Sequence, residues 1–260
     1  YEGITAAGLS TTCTATRTAW YQNAQSYKLR ADLVAKYKLG GVTAWTLGME
    51  EPLAMESIRQ TAINIAPAKV LSTLTSDKTS SLYARAINLS GQITLEDTTP
   101  VAAIAVRIEG KSATETTWRL LGTMTTGADG KFATPILLGK PTSIRLATDG
   151  TWDRAESLSN ELAIQVDRTI SLSAPGTMKS GTPFAISGVV RPRSAGAAVV
   201  LMKYTAGAWK SVATATTDEQ GGFTFSLQGE KRSLVRYQVL VQSDQTWRQV
   251  AAPEFSIIIR

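Results

Sequence analysis

Hydrophobic residues follow a helical spacing in the first quarter of the chain. In the first stretch, the apolar positions recur every three or four residues, at Ala24, Tyr27, Ala31 and Val34. Asn23 directly precedes this pattern and is a typical N-cap, while Gly40 is a typical residue for ending a helix. The spacing therefore predicts a helix of about four turns that begins after Asn23 and ends at Gly40.

A second helical pattern lies between Pro52 and Pro67. Its apolar positions have the same spacing, at Met55, Ile58, Ala62 and Ile65. Residues 42–47, bounded by glycines, are mostly apolar or β-branched, which is typical of a buried parallel strand. Residues 1–18 alternate polar and small residues and predict a hairpin. The pattern up to Pro67 thus predicts α/β organisation.

Two stretches in the first quarter of the chain carry a family resemblance. They are Trp20-Tyr21-Gln22-Asn23 and Lys36-Tyr37-Lys38-Leu39-Gly40-Gly41-Val42-Thr43-Ala44-Trp45-Thr46-Leu47-Gly48. This segment resembles glycoside hydrolase family 18, especially its spore-germination and cell-wall-active branch. The resemblance covers about a quarter of the chain. It implies that residues 1–67 are the C-terminal end of a (β/α)8 TIM barrel, from an inserted hairpin through strand seven to helix eight.

The resemblance also implies a sugar-binding role for Trp45, because in this family the tryptophan that ends the eighth strand forms the floor of the substrate pocket. An indole can stack on a pyranose ring, and barrel active sites lie at the C-terminal ends of the strands. The alternative is that Trp45 only fills the barrel interior. Trp20 and Tyr21 are either substrate contacts or a hydrophobic staple before the helix. Glu50 either contacts substrate or stabilises the following helix, because an acidic side chain interacts favourably with the N-terminal end of the helix dipole.

The catalytic part of such an enzyme is missing from these residues. The family carries an Asp-x-x-Asp-x-Asp-x-Glu run whose glutamate is the acid in a substrate-assisted hydrolysis, and no such run occurs here. A whole barrel needs about 250 residues. We therefore expect the chain to be a fragment of a larger protein and to be inactive alone, with no catalytic residue of its own.

Composition excludes several other kinds of site. The chain has no histidine and only one cysteine, Cys13, so it lacks histidine-based nucleophile systems, cysteine-cluster metal sites and an internal disulfide. It also lacks the sequence motifs of P-loop, Rossmann and EF-hand sites. We expect no metal and no cofactor.

After Pro67 the sequence changes to short Thr-, Ser-, Val- and Ala-rich segments separated by glycine and proline, which predicts all-β sandwiches. Four features recur 91 to 97 positions apart, namely Leu89-Ser90-Gly91 with Ile186-Ser187-Gly188, Trp118 with Trp209, Asp129-Gly130-Lys131-Phe132 with Gln220-Gly221-Gly222-Phe223, and Trp152 with Trp247. We therefore expect two tandem immunoglobulin-like (fibronectin-type-III-like) sandwiches, at 68–168 and 169–260. The paired tryptophans indicate a shared packing role, with sugar stacking as the alternative.

Charge is concentrated in the last domain. Residues 1–67 carry six basic and five acidic side chains, residues 68–168 carry eleven of each, and residues 169–260 carry ten and five. A patch for an anionic wall polymer is one interpretation and an ordinary charged surface is the other. The candidate residues are Arg191, Arg193, Lys231, Arg232 and Arg236. No nucleic-acid motif accompanies them.

The leading hypothesis is the C-terminal region of a secreted glycoside hydrolase that acts on polysaccharide containing N-acetylglucosamine, either chitin or peptidoglycan. In this hypothesis, the two sandwiches act as a spacer next to the catalytic domain or anchor that domain to the cell wall. The alternative is a non-catalytic cell-surface or wall-binding module. Both imply a bacterial extracellular location. No apolar run is long enough to span a membrane, and the sequence leaves the oligomeric state open.

Overall fold

A computed structural model describes residues 2–12, 14–43, 51 and 53–260 of the chain. The chain divides into two compact units, Tyr1–Pro67 and Ala68–Arg260. The described elements of the first unit are β1 (Glu2–Ile4), β2 (Ser10–Thr12), α1 (Ala24–Tyr37) and α2 (Ala54–Ile65). β1 and β2 pair antiparallel, which confirms the hairpin expected within residues 1–18.

Helix α1 begins where the sequence predicts. The side-chain oxygen of Asn23 accepts a hydrogen bond from the backbone N–H of Ser26 at 3.0 Å, which confirms Asn23 as the N-cap. Glu51 adds a second cap, because its carboxylate accepts the N–H of Ala24 at 2.9 Å. The helix ends at Tyr37 and not at Gly40, since Lys38 already adopts a left-handed conformation (φ 53°) and its N–H bonds to the carbonyl of Val34.

The expected barrel end is wrong. Among the described residues of the first unit, β1 and β2 are the only strands, and they form a separate antiparallel pair. Trp20 and Tyr21 lie in irregular chain where strand seven was expected, and Val42 and Thr43 are likewise irregular. A barrel strand is held by hydrogen bonds to neighbours on both sides, and the described part of this unit supplies none. The rest of the expected eighth strand, including Trp45, lies outside the described residues.

The second unit begins with a two-sheet β-sandwich whose strand pairs are antiparallel except for the parallel pair β4–β11. Strands β3, β5 and β8 form a three-stranded sheet, and the larger sheet has the order β4-β11-β9-β6-β7, with β10 paired to β9. The strands are β3 (Val70–Ser76), β4 (Ser80–Leu82), β5 (Ala86–Leu95), β6 (Ala105–Lys111), β7 (Arg119–Thr125), β8 (Lys131–Leu137), β9 (Thr142–Thr148), β10 (Ser157–Leu158) and β11 (Leu162–Asp167).

A second sandwich repeats this topology strand for strand. Its sheets have the orders β12-β14-β17 and β13-β20-β18-β15-β16, with β19 paired to β18. The strands are β12 (Thr169–Ser173), β13 (Thr177–Met178), β14 (Pro183–Arg191), β15 (Ala198–Thr205), β16 (Ala208–Thr216), β17 (Gly222–Gln228), β18 (Ser233–Val241), β19 (Val250–Ala251) and β20 (Phe255–Ile259).

Each sandwich has its own hydrophobic core, built from alternate residues of its strands. In β18, for example, Val235, Tyr237, Val239 and Val241 are buried, whereas the residues between them are exposed or half-buried. Ile144, Leu146 and Ile164 are buried in the first core, and Ile186, Leu201 and Ile257 in the second. The described architecture is therefore β-sandwich with two short helices, which replaces the expected mixture of barrel and sandwich.

The two sandwiches differ at the seam between their first strand and the opposite sheet. In the first sandwich this seam is closed by polar groups. The amide of Asn160 accepts the N–H of Leu74 and donates to its carbonyl, both at 3.0 Å, and the hydroxyls of Ser72 and Ser157 lie 2.9 Å apart. In the second sandwich, Leu172 occupies the position equivalent to Leu74, because each pairs with the glycine that faces a phenylalanine on the next strand.

The corresponding seam of the second sandwich is open and apolar. Pro253 occupies the position equivalent to Asn160 of the first sandwich, because β19 is equivalent to β10 and β20 is equivalent to β11. Ile170, Leu172 and Phe255 are half-buried and line a groove of about 430 Å³. A proline has no side-chain amide, so this seam lacks the bridge that closes the first one.

Candidate functional site

The two sandwiches are joined by a single residue. Strand β11 ends at Asp167 and strand β12 begins at Thr169, so that only Arg168 separates them. Compact modules that are connected loosely usually have linkers of several flexible residues. This connection leaves the second sandwich little freedom to move away from the first, and the residues around it are the candidate functional site.

Arg168 is buried although it carries a charge. Only 5% of the residue is exposed. One guanidinium nitrogen donates to the carbonyl of Gln242 at 3.2 Å, and another forms an ion pair with Asp244. Both partners lie between β18 and β19, at the end of the second sandwich that faces the first. A buried arginine is tolerated only where charge and hydrogen bonds are matched, and here both are.

Trp247 and Arg248 continue these contacts from the same loop. Trp247 packs against the hydrophobic core of the first sandwich, and its ring lies 5.3 Å from the guanidinium carbon of Arg168. Arg248 forms a bidentate ion pair with Asp167, the last residue of β11. We call Asp167, Arg168, Asp244, Trp247 and Arg248 the clamp.

The loop that supplies these residues is held in shape by Asp244. Its carboxylate accepts the backbone N–H groups of Thr246 at 2.8 Å and Trp247 at 2.9 Å, and its own N–H donates to the carbonyl of Trp247 at 2.9 Å. Burial disfavours the ionised carboxylate, but these amides and Arg168 outweigh burial and hold the pKa of Asp244 below its ordinary value. Asp244 is thus an ionised anchor for both the loop and Arg168.

Tryptophans at equivalent positions make the same kind of contact on the larger sheet of each sandwich. In the first, the guanidinium of Arg145 lies 4.1 Å from the ring centroid of Trp118 and bonds to Glu109 at 2.9 Å. In the second, Arg236 lies 5.7 Å from the ring of Trp209 and 4.6 Å from that of Tyr204.

A cation lies over each of these two tryptophan rings. Both Trp118 and Trp209 are half-buried, and neither belongs to the buried core of its sandwich. Stacking on a sugar needs a free ring face, so the contacts favour a packing role for this pair. The other pair does not share a role, because Trp247 packs at the clamp whereas 53% of Trp152 is exposed.

The residues expected to bind substrate are not brought together by the described structure. Trp20 is 94% exposed and Tyr21 is 80% exposed, next to the N-terminus of α1. Trp45 and Glu50 lie outside the described residues. The neighbouring Glu51 caps α1. The sequence pattern instead predicts that acidic residues at this position stabilise the N-terminus of the following helix, α2.

The basic residues selected from the sequence divide between opposite ends of the second sandwich. Arg191 and Arg193 lie at the end nearer the first sandwich, since Arg191 pairs with Thr169, and Arg193 bonds to Gln220 at 3.1 Å. Lys231 and Arg232 lie at the other end, directly before β18. Arg236 lies within β18 and pairs with Glu254, which raises the pKa of the arginine.

The clamp was not predicted from the sequence. Arg168 and Asp244 are 76 residues apart, and a lone arginine between two strand-like segments looks like an ordinary solvent-exposed residue. The recurrence of tryptophan at 152 and 247 was the available signal. It marked equivalent loops, although it could not show that only the second loop lies against the first sandwich.

Comparisons with known proteins identify no family. No protein-family model matches the sequence, and no curated protein is significantly similar to it. The resemblance to glycoside hydrolase family 18 is wrong because the described fold is mostly β-strand, with only two short helices and no part of a barrel among the described residues. A solved structure described as a tetra-tandem repeat in the extending region of a large adhesion protein is matched at 18% identity and a TM-score of 0.37. The match covers 72% of this chain and 48% of that one, so the chain spans about half the length of the solved structure.

Neither described helix is long and apolar enough to cross a membrane.

Proposed function

We propose that the chain is a non-catalytic module of the cell surface, in which the two β-sandwiches form a stiff spacer. The observation that supports this most directly is the clamp around Arg168. A spacer holds what lies on either side of it at a fixed separation, which requires the joints between its modules to resist bending.

The clamp supplies that resistance in two ways. The single-residue connection limits the movements open to the joint, and the matched charges of Arg168 and Asp244 favour one arrangement of the sandwiches. Bending would separate a buried guanidinium from its carboxylate, and an unpaired buried charge costs several kcal/mol. Domains within a chain move relative to each other by default, and the packing of Trp247 on the first core adds an apolar contact to these charges.

The stiffness can be tested by measuring distances between the two sandwiches. Spin labels are placed on cysteines at Thr75 and Ser226, two exposed strand positions, after Cys13 is replaced by serine. We expect pulsed electron paramagnetic resonance to give a narrow distance distribution for this protein. The distribution should broaden in Arg168→Ala, because the second sandwich can then rotate.

The matched control is Arg145→Ala. Arg145 also contacts a tryptophan and a carboxylate, but all three residues belong to the first sandwich. The Arg145→Ala substitution should leave the distribution of distances between the spin labels narrow. A broad distribution in the labelled protein that retains Arg168 would contradict a stiff spacer.

The cell-surface location is a separate part of the proposal and needs its own test. Tandem β-sandwich modules are common in extracellular and cell-surface proteins. An antibody raised against residues 68–260 should label intact cells of the source organism. Labelling that appears only after the cells are broken would exclude a surface role, whatever the stiffness of the joint.

A further inference from the structure

The basic excess of the second sandwich lies at one end. At the end near the clamp, the basic residues Arg191, Arg193 and Arg248 are balanced by acidic ones, namely Asp218, Glu219 and Asp244. The opposite end carries the remaining seven basic residues of this sandwich, Lys179, Lys203, Lys210, Lys231, Arg232, Arg236 and Arg260, with only Glu230 and Glu254 among them. We call this second set the distal end.

Both acidic residues of the distal end are already neutralised. Glu230 pairs with Lys203, whose side chain is only 17% exposed, and Glu254 pairs with Arg236. The other five cations are exposed, and none of them forms an ion pair within the part of the chain that the structure describes. They are Lys179, Lys210, Lys231, Arg232 and Arg260. Uncompensated charge of one sign creates a local field that attracts an anion.

Backbone pairing brings these cations together from distant parts of the chain. Arg260 donates its N–H to the carbonyl of Met178 at 2.9 Å and accepts the N–H of Ser180 at 2.8 Å, which places it beside Lys179. Arg232 is one residue before Ser233, which pairs with Ile259. Lys179, Lys231, Arg232 and Arg260 therefore lie around neighbouring strand ends of one sheet, and Lys210 lies on β16 of the same sheet.

The loops that carry the cations are ordered by their own hydrogen bonds. The hydroxyl of Ser180 donates to the carbonyl of Glu230 at 2.7 Å. Gly181 donates its N–H to the carbonyl of Gly229 while Gly229 donates to the carbonyl of Thr182, both at 2.9 Å. The hydroxyl of Ser233 donates to the carbonyl of Lys231 at 2.8 Å. Binding to such loops loses less conformational entropy than binding to loops that must first be ordered.

We propose that the distal end binds a linear acidic polysaccharide. Closely spaced carboxylates on a sugar chain match a cluster of cations drawn from several loops. Residues 179–182 and 229–233 contain only polar residues and glycine, so these loops offer no apolar side chain for insertion into a bilayer. The nearby rings of Tyr204 and Trp209 are covered by Arg236, which leaves them poorly placed for stacking on nucleic-acid bases.

The test measures binding of the full chain to alginate, a linear polymer of uronic acids, with neutral dextran as the uncharged comparison. The variant Lys231→Glu/Arg232→Glu reverses two charges of the distal end. Its control, Arg191→Glu/Arg193→Glu, changes the net charge by the same amount at the opposite end. We expect the distal variant to bind alginate roughly tenfold or more weakly, and the control to bind like the unsubstituted protein.

Salt supplies a second readout, because the Debye length falls from about 10 Å at 0.1 M to about 3 Å at 1 M. Binding should disappear at high salt. Equal losses in the two variants would show that overall charge and not the distal end is responsible, and absence of alginate binding would also overturn the proposal. So would binding only to vesicles of anionic phospholipid.

A second distal variant guards against a folding defect. If Lys231→Glu/Arg232→Glu loses the circular dichroism spectrum of the folded protein, Lys179→Gln/Lys210→Gln takes its place. Both of its side chains are exposed and form no ion pair in the described structure. Unchanged alginate binding by this folded variant would contradict the proposal.

Discussion

Two glycines have no room for a side chain, because residues that are distant in the sequence pack directly against them. A Cβ added to Gly188 would lie 2.5 Å from the ring of Phe223 and 2.5 Å from the carbonyl oxygen of Ser171. At Gly91 the equivalent distances are 2.5 Å from Phe132 and 2.8 Å from the carbonyl of Thr73. In both sandwiches a phenylalanine ring occupies the space above a glycine of the neighbouring strand.

We therefore expect Gly188→Ala to destabilise the protein by about 1–3 kcal/mol, because the backbone carbonyl cannot move out of the way as a flexible side chain could. Gly122→Ala is the control, since a Cβ there has nothing within 4 Å. It should change the free energy of unfolding by no more than about 0.5 kcal/mol. Urea unfolding measures both, and equal effects at the two positions would refute this explanation.

Glu115 makes part of the stability of the first sandwich depend on pH. The backbone N–H of Ser112, followed by Lys140 and Arg119, lowers the pKa of Glu115 to about 2. Because the folded-state pKa is depressed, the stabilisation is present above the ordinary pKa of 4.5 and is lost as pH falls towards 2.

Glu115→Gln should accordingly be less stable than the unsubstituted protein at neutral pH. The difference should shrink as pH falls from 4.5 to about 2. Urea unfolding at a series of pH values measures it. A difference that stays constant over this range would mean that ionisation of Glu115 contributes nothing.

At the scale of elements, the closed and open seams separate two sandwiches of the same topology. Asn160→Ala would leave the N–H and carbonyl of Leu74 without their partner at a part-buried site. We expect a loss of about 1–3 kcal/mol in the free energy of unfolding. Asn88→Ala, which removes an exposed amide that bonds to Asp77, should cost less. Calorimetry of both variants makes the comparison, and equal losses would contradict a special role for the seam.

How much could be predicted differs between elements for a physical reason. Helix α1 was predicted well, because a helix is stabilised by contacts within a few residues and Asn23 marks its beginning. Residues 42–47 were assigned to a buried parallel strand from their composition and to the eighth barrel strand from the family resemblance, and the described part of this run, Val42 and Thr43, is irregular. A short apolar run does not reveal its partners, and a strand forms only where partners exist. The spacing of the repeats could be read from the sequence, but the seam difference depends on pairings across more than eighty residues.

At the scale of the whole molecule, the clamp should couple the unfolding of the two sandwiches. Trp247 belongs to the second sandwich but packs on the first core, so unfolding of either sandwich exposes it. We expect calorimetry to show one coupled transition for this pair and two separable transitions in Arg168→Ala. Arg145→Ala should lower the midpoint without separating the transitions. Two independent transitions in the unsubstituted protein would show that the clamp does not couple them.

The clamp and the distal end also mark the limit of prediction for the candidate site. The sequence showed that the last domain is basic, and the charge count was sufficient for that. It could not show that Arg191 and Lys231 lie at opposite ends, because the ends of a sandwich are defined only by strand pairing. The cations at 179, 210 and 260 were missed for the same reason.

The single-residue connection determines what happens if the clamp fails. An extended residue spans at most about 3.6 Å, so the two strand ends beside Arg168 cannot draw apart without unravelling β11 or β12. The joint can only swing. The connection therefore acts as a hinge and the clamp as its latch, and a pulling force along the chain would change the angle between the sandwiches before it changed the length of either one.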